Sequence, residues 1–179
     1  MSRAPVLRVP SAATRLPERP RVIFDANVSV QALAFDTGPA AEALRLVDTG
    51  RCELYTSTAT LRELRRVLAY DEIRALSPNL TRERIAAVLK RLVYRSTLLR
   101  RVRHVFDFPR DRRDEPYLDL AAAAKADYLV TRDKDMLWLM TGHTPFCKQF
   151  RQRTHPLRVL NPVNFLNALR DPDTGRPRG

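Results

Sequence analysis

Four carboxylates are placed along the chain so that each falls beside an apolar run. Asp25 directly follows Val22-Ile-Phe24, and Asp133 comes just after Tyr128-Leu-Val-Thr131. Short apolar runs of this kind predict strands buried on both faces, as in a parallel sheet. The carboxyl ends of such strands open together onto the ligand crevice, so Asp25 and Asp133 are expected to meet there. Glu63 lies in the helical pattern after the second strand, beside the inward Leu64, and Asp114 opens the helix before the Asp133 strand. Asp119 and Asp135 are further acids on the same units. Crowded carboxylates repel one another, and one stays protonated unless a cation is present. Oxygen ligands without thiolate or imidazole select Mg²⁺ or Mn²⁺ over zinc. Such cations suit phosphoryl chemistry, because they polarise the phosphate and lower the pKa of an attacking water.

Each acid also has a structural reading. Glu63 stands three residues after Thr60, the capping-box spacing. Asp114 is a good helix cap, and Asp133 and Asp135 suit the first turn of a helix as dipole partners. Asp25 is hardest to explain this way, since a carboxylate straight after a buried strand must find a partner. His104, His143 and His155 are scattered and read as structural or exposed. Trp138 and Phe150 read as core or loop anchors.

The elements that must position these acids alternate. A helix is expected from Val28 to Phe35, a second over Ala40–Thr49, a strand over Cys52–Thr56 and helices over Ser57–Ala69 and Thr81–Tyr94. A third strand is expected over Leu98–Phe106. The helix from Asp114 carries Pro116 in its first turn, where proline is tolerated. A strand at Tyr128–Thr131 follows, then a short helix to Leu139, a polar loop over 141–156, a strand at Leu157–Leu160 and a closing helix from Pro162. This alternation predicts an α/β fold, a three-layer α/β/α sandwich around a mostly parallel sheet. Residues 1–20 read as a disordered basic leader, 21–169 as one domain, and 170–179 as a disordered tail.

Composition restricts the partners. The net charge is +12, and residues 82–113 hold eleven Lys and Arg against three acids, while the segments around Asp25 and Asp133 are acidic. A basic perimeter around an acidic centre suits a polyanion held against a cation site. Only four of the 32 basic residues are Lys, so an Arg-rich composition accounts for part of the excess. No apolar run reaches the roughly 20 residues of a membrane span. Cys52 and Cys147 form neither a metal spacing nor a disulfide framework, in keeping with a reducing cytoplasm.

The sequence resembles the PIN-domain family, in particular the branch of toxins from toxin–antitoxin modules. Four stretches carry the resemblance: Val22-Ile-Phe-Asp-Ala-Asn-Val28, Thr60-Leu-Arg-Glu-Leu-Arg-Arg-Val-Leu68, Asp111-Arg-Arg-Asp-Glu-Pro-Tyr-Leu-Asp119 and Ala126-Asp-Tyr-Leu-Val-Thr-Arg-Asp-Lys-Asp135. It implies a Mg²⁺- or Mn²⁺-dependent endoribonuclease, with Asp25, Glu63, Asp114 and Asp133 as its acidic quartet. Asp119 and Asp135 match places where this branch often adds an acid, and Asn27 and Thr131 match polar residues lining the site. Arg132 departs from the pattern and sets a cation beside the expected metal position, where it would orient the scissile phosphate or weaken metal binding. A small antitoxin is the implied partner, with room for a homodimer. The alternative is a PIN-like RNA-binding or adaptor domain without turnover. A phosphoaspartate switch, which also has an acid after its first strand, is disfavoured by Asn27 in place of a second acid.

Overall fold

The computed structural model describes residues 19–71, 75 and 81–170. The leader and tail expected at the two ends lie, apart from residues 19, 20 and 170, outside the described residues.

Five strands form one parallel sheet: β1 (Arg21–Phe24), β2 (Glu53–Ser57), β3 (Ser96–Leu99), β4 (Tyr128–Val130) and β5 (Arg158–Leu160), in the order β3-β2-β1-β4-β5. The centre of the sheet is apolar on both faces. Val22, Ile23, Leu129 and Val130 have no exposed surface, as parallel strands under helices require. Right-handed crossovers then dictate where the helices go. The connections β1→β2→β3 run one way across the sheet, and β3→β4→β5 run the other. Helices α1 (Ala26–Ala34), α2 (Pro39–Asp48) and α3 (Thr58–Leu68) therefore take one face with α4 (Arg82–Arg95). The opposite face takes α5 (Glu115–Ala124) and α7 (Pro145–Thr154). The packing agrees: α1 meets α2 and α3, α5 meets α7, and the last helix, α8 (Pro162–Arg170), closes on α2, β4 and β5. The short helix α6 (Lys134–Trp138) completes the set.

Two expectations are corrected. The third strand is not Leu98–Phe106 but Ser96–Leu99, paired with β2 from Leu54↔Ser96 to Ser57↔Leu99. Beyond it the Arg-rich chain leaves the sheet, and the amides of Val105 and Phe106 both donate to the Asp119 carboxylate, at 2.8 and 3.0 Å. A side chain thus supplies the acceptor that a neighbouring strand would have offered. The polar loop over 141–156 is largely helix α7. Thr144 caps it, Pro145 starts it, and Cys147, Phe150 and Thr154 line its buried side. The polar residues between them hid that spacing. Phe150 is core, as expected, with its ring 5.1 Å from that of Phe106.

Candidate active site

β1 and β4 are neighbours, yet the chain leaves them toward opposite faces, so the crevice of the sheet opens between their carboxyl ends. Asp25 and Asp133 stand at those two ends. Both line a cavity of about 240 Å³, together with Asn27, Glu63, Asp111, Arg113, Asp114 and Tyr117. The four acids expected from the sequence thus come from four separate elements and share one cavity.

Their local roles differ from expectation. Asp25 has the structural partners that the sequence did not suggest: it is the N-cap of α1, and one oxygen accepts from the Val28 amide at 2.7 Å. Its other oxygen accepts from the Thr131 hydroxyl. Thr131 Oγ1 in turn accepts from the Asp133 amide at 2.9 Å. A relay therefore runs from the β4 end through Thr131 to Asp25. Burial pushes the Asp25 carboxyl above its ordinary range. The Thr131 hydroxyl and the Val28 and Arg132 amides oppose that shift, while the Asp133 charge adds to it. Asp133 caps α6 with one oxygen, accepting from Asp135 at 2.7 Å and Met136 at 3.3 Å.

Asp114 sits at a helix start but makes no cap bond. Asp111 takes that role for the turn ahead of it, accepting from the Arg113 amide at 2.8 Å. One oxygen of Asp114 is consequently buried without a partner. Burial first, then the charges of Asp133, Asp111 and Asp25, push its carboxyl up to about 7. The Arg113 guanidinium has the reverse effect on Asp111, holding it below the usual range. The Thr60–Glu63 capping box does not form either, because Thr60 pairs with Ser57 at the start of α3. Glu63, one turn further on, pairs instead with Arg66 at 2.7 Å.

The remaining candidates stand apart from the cavity. Asp119 is buried, and both its oxygens hold the 104–106 segment, one through the two amides above and the other through His104 Nδ1 at 2.8 Å. That bond, with one to Asp107, raises the imidazole pKa of His104. Asp135 pairs with Arg110, whose guanidinium also stacks 3.8 Å over Trp138. The Arg132 side chain is exposed, and this residue serves Asp25 only through its main chain. Asp119→Ala should lower stability by about 2–4 kcal/mol, since it strands two amides at once; urea unfolding measures it, and a loss under about 0.5 kcal/mol would contradict the clamp.

Sequence reading missed Tyr117 and Asp111. The signal for Tyr117 was available: it lies three residues after Asp114 on one helix and so shares its face.

Among the described residues no three of His, Cys, Asp and Glu are gathered as a ligand cage. Mg²⁺ does not need one, for it keeps several waters and takes one or two carboxylates directly. All-oxygen donors, a stranded Asp114 oxygen and acids raised by burial and by one another's charge suit a hydrated cation of that kind.

A parallel α/β domain with an acidic cavity where its strand order reverses is the class that fold and site define. Residues 21–135 match the PIN domain model, more than half of the chain, and the protein belongs to the PIN-domain family. PIN domains are generally nucleases. No curated protein matches the chain.

Proposed function

We propose that the protein is a metal-dependent endoribonuclease, the toxin component of a toxin–antitoxin module acting in the cytoplasm. The observation that carries the enzymatic reading is the convergence of Asp25, Glu63, Asp114 and Asp133 on one cavity at the switch point of the sheet. Asp25, Asp133 and Asp114 are the acids of which one or two would hold a hydrated Mg²⁺ or Mn²⁺ directly; the cation would polarise the phosphate and acidify water. The protein's own groups then have defined tasks. Carboxylates accept the proton of the attacking water, and Arg113 at the cavity wall faces the phosphate. The water oxygen bonds to phosphorus and the bond to the 3′ oxygen breaks, leaving 5′-phosphate and 3′-hydroxyl ends.

RNA as substrate is supported by the charge pattern. Arg100, Arg101 and Arg103 are exposed on the segment that runs from the end of β3 to Asp111 at the cavity, so a basic ribbon leads to the acids. Such a ribbon suits backbone phosphates. The toxin role and the small antitoxin rest on the resemblance of the four stretches alone.

One observation favours a second reading, an RNA-binding or adaptor domain without turnover: Glu63 is already neutralised by Arg66. A single assay decides. Single-stranded and structured RNA incubated with the protein should be cleaved with Mg²⁺ or Mn²⁺, and EDTA should stop cleavage. RNA bound but uncut in either metal would establish the second reading.

A further inference from the structure

Tyr117 is 3 % exposed, and its ring is part of the core. Its hydroxyl is buried and its proton meets no acceptor, while the backbone amide of Ala26 is turned toward its oxygen. A phenylalanine would make the same ring contacts without stranding that proton, so packing does not account for the donor. The residue lines the acidic cavity, and the charges it feels are those of Asp25, Glu63 and Asp114. The hydroxyl therefore lies on the acidic side of the ring. The cavity, at about 240 Å³, has room for several waters.

We propose that the Tyr117 hydroxyl donates a hydrogen bond to a water in the floor of the acidic cavity, and thereby orients the water that attacks the phosphodiester. Carboxylates ionised by a bound cation only accept hydrogen bonds, so they would bind the protons of a water and leave its oxygen unrestrained. A neutral phenol supplies the missing donor. Burial and the three nearby acids keep it protonated, well above the ordinary phenol range. A water held from both sides keeps one lone pair for phosphorus. In the step, the water oxygen bonds to phosphorus, its proton passes to a carboxylate, and the 3′ oxygen leaves and is protonated by solvent. Tyr117 keeps its own proton throughout.

The proposal rests on the nuclease reading, and two measurements separate their failures. The first is a crystal structure of the wild-type protein at a resolution that shows waters. A water within hydrogen-bond distance of both Tyr117 Oη and a cavity carboxylate is expected, and a dry hydroxyl overturns the proposal whether or not the protein cleaves RNA. The second is Tyr117→Phe. Its Tm should equal or exceed that of the wild type, while kcat falls about 10–100-fold, the usual effect of an outer-shell change at a metal site, and KM stays within about twofold. A variant with kcat within about twofold of the wild type would overturn the catalytic role. If the wild type cleaves no RNA with either metal, the nuclease reading falls, and the catalytic role of Tyr117 falls with it.

Discussion

Asp25→Asn should lose RNA cleavage while keeping the fold, and Asp25→Ala should lose cleavage and stability together. The difference follows from the two tasks of this side chain. As N-cap, its oxygen closes the first turn of α1 through the Val28 amide, and an asparagine oxygen does this equally well. Alanine cannot, and loss of the cap costs about 1 kcal/mol, up to about 2. The second oxygen receives the Thr131 hydroxyl, whose own oxygen accepts from the Asp133 amide. An amide nitrogen there takes away the acceptor of the Thr131 proton, a local cost of about 1 kcal/mol. Removing a buried charge works the other way. The Asn variant should therefore melt within a few degrees of the wild type, with cleavage down by at least about a hundredfold, since changes to groups that only support a metal ligand already cost about 10–100-fold. Asp133→Asn should behave alike, because its capping oxygen is also retained. Circular-dichroism melts beside a cleavage assay measure both effects. Full Mg²⁺-dependent activity in either Asn variant would remove these two residues from the site.

The second large effect is on pH. Asp114 is held at about 7 in the folded protein against an ordinary 3.8, so between those values the native state binds more protons than the unfolded chain. Its contribution to stability is fully present below the unfolded value and is lost as pH rises through about 7. Asp25, also raised, acts in the same direction. Asp111, held below its ordinary range, acts oppositely: its contribution is present above the unfolded value and fades in acid. The metal-free protein should thus melt lower at pH 8 than at pH 5.5. A divalent cation replaces the proton as the compensating charge, so Mn²⁺ should raise Tm more at pH 8 than at pH 5.5. Asp114→Asn should remove most of the pH slope and much of the Mn²⁺ gain. An equal Mn²⁺ gain at both pH values would exclude Asp114 as the seat of the cation.

The parts legible in the sequence were those settled by local pattern. An apolar run ending in an acid occurs twice, and a parallel sheet brings the two ends together without further information. The helix pattern around Glu63 and Asp114 was equally local. What stayed hidden depends on tertiary placement. Asp111 and Asp114 are both credible caps, and only the path of the chain into α5 decides that Asp111 closes the turn and Asp114 is left facing the cavity. Asp119 looked like one more ligand because its type and spacing suit one. Its carboxylate is taken by the amides of residues fourteen and thirteen positions earlier, a pairing that no periodicity reveals. Helix α7 was readable in its Thr-Pro start and buried spacing, but its charged residues outweighed them.

The grip of Asp119 on the 104–106 segment has an implication for redesign. It holds the path of the chain chiefly through main-chain amides, which every residue except proline possesses. The arginines at 100, 101 and 103 are exposed and take no part in that grip. Their identities are consequently independent of the anchor, and the segment behaves as an interchangeable cassette on a fixed mount. Exchanging those side chains should retune which nucleic acid is preferred without rebuilding the scaffold beneath.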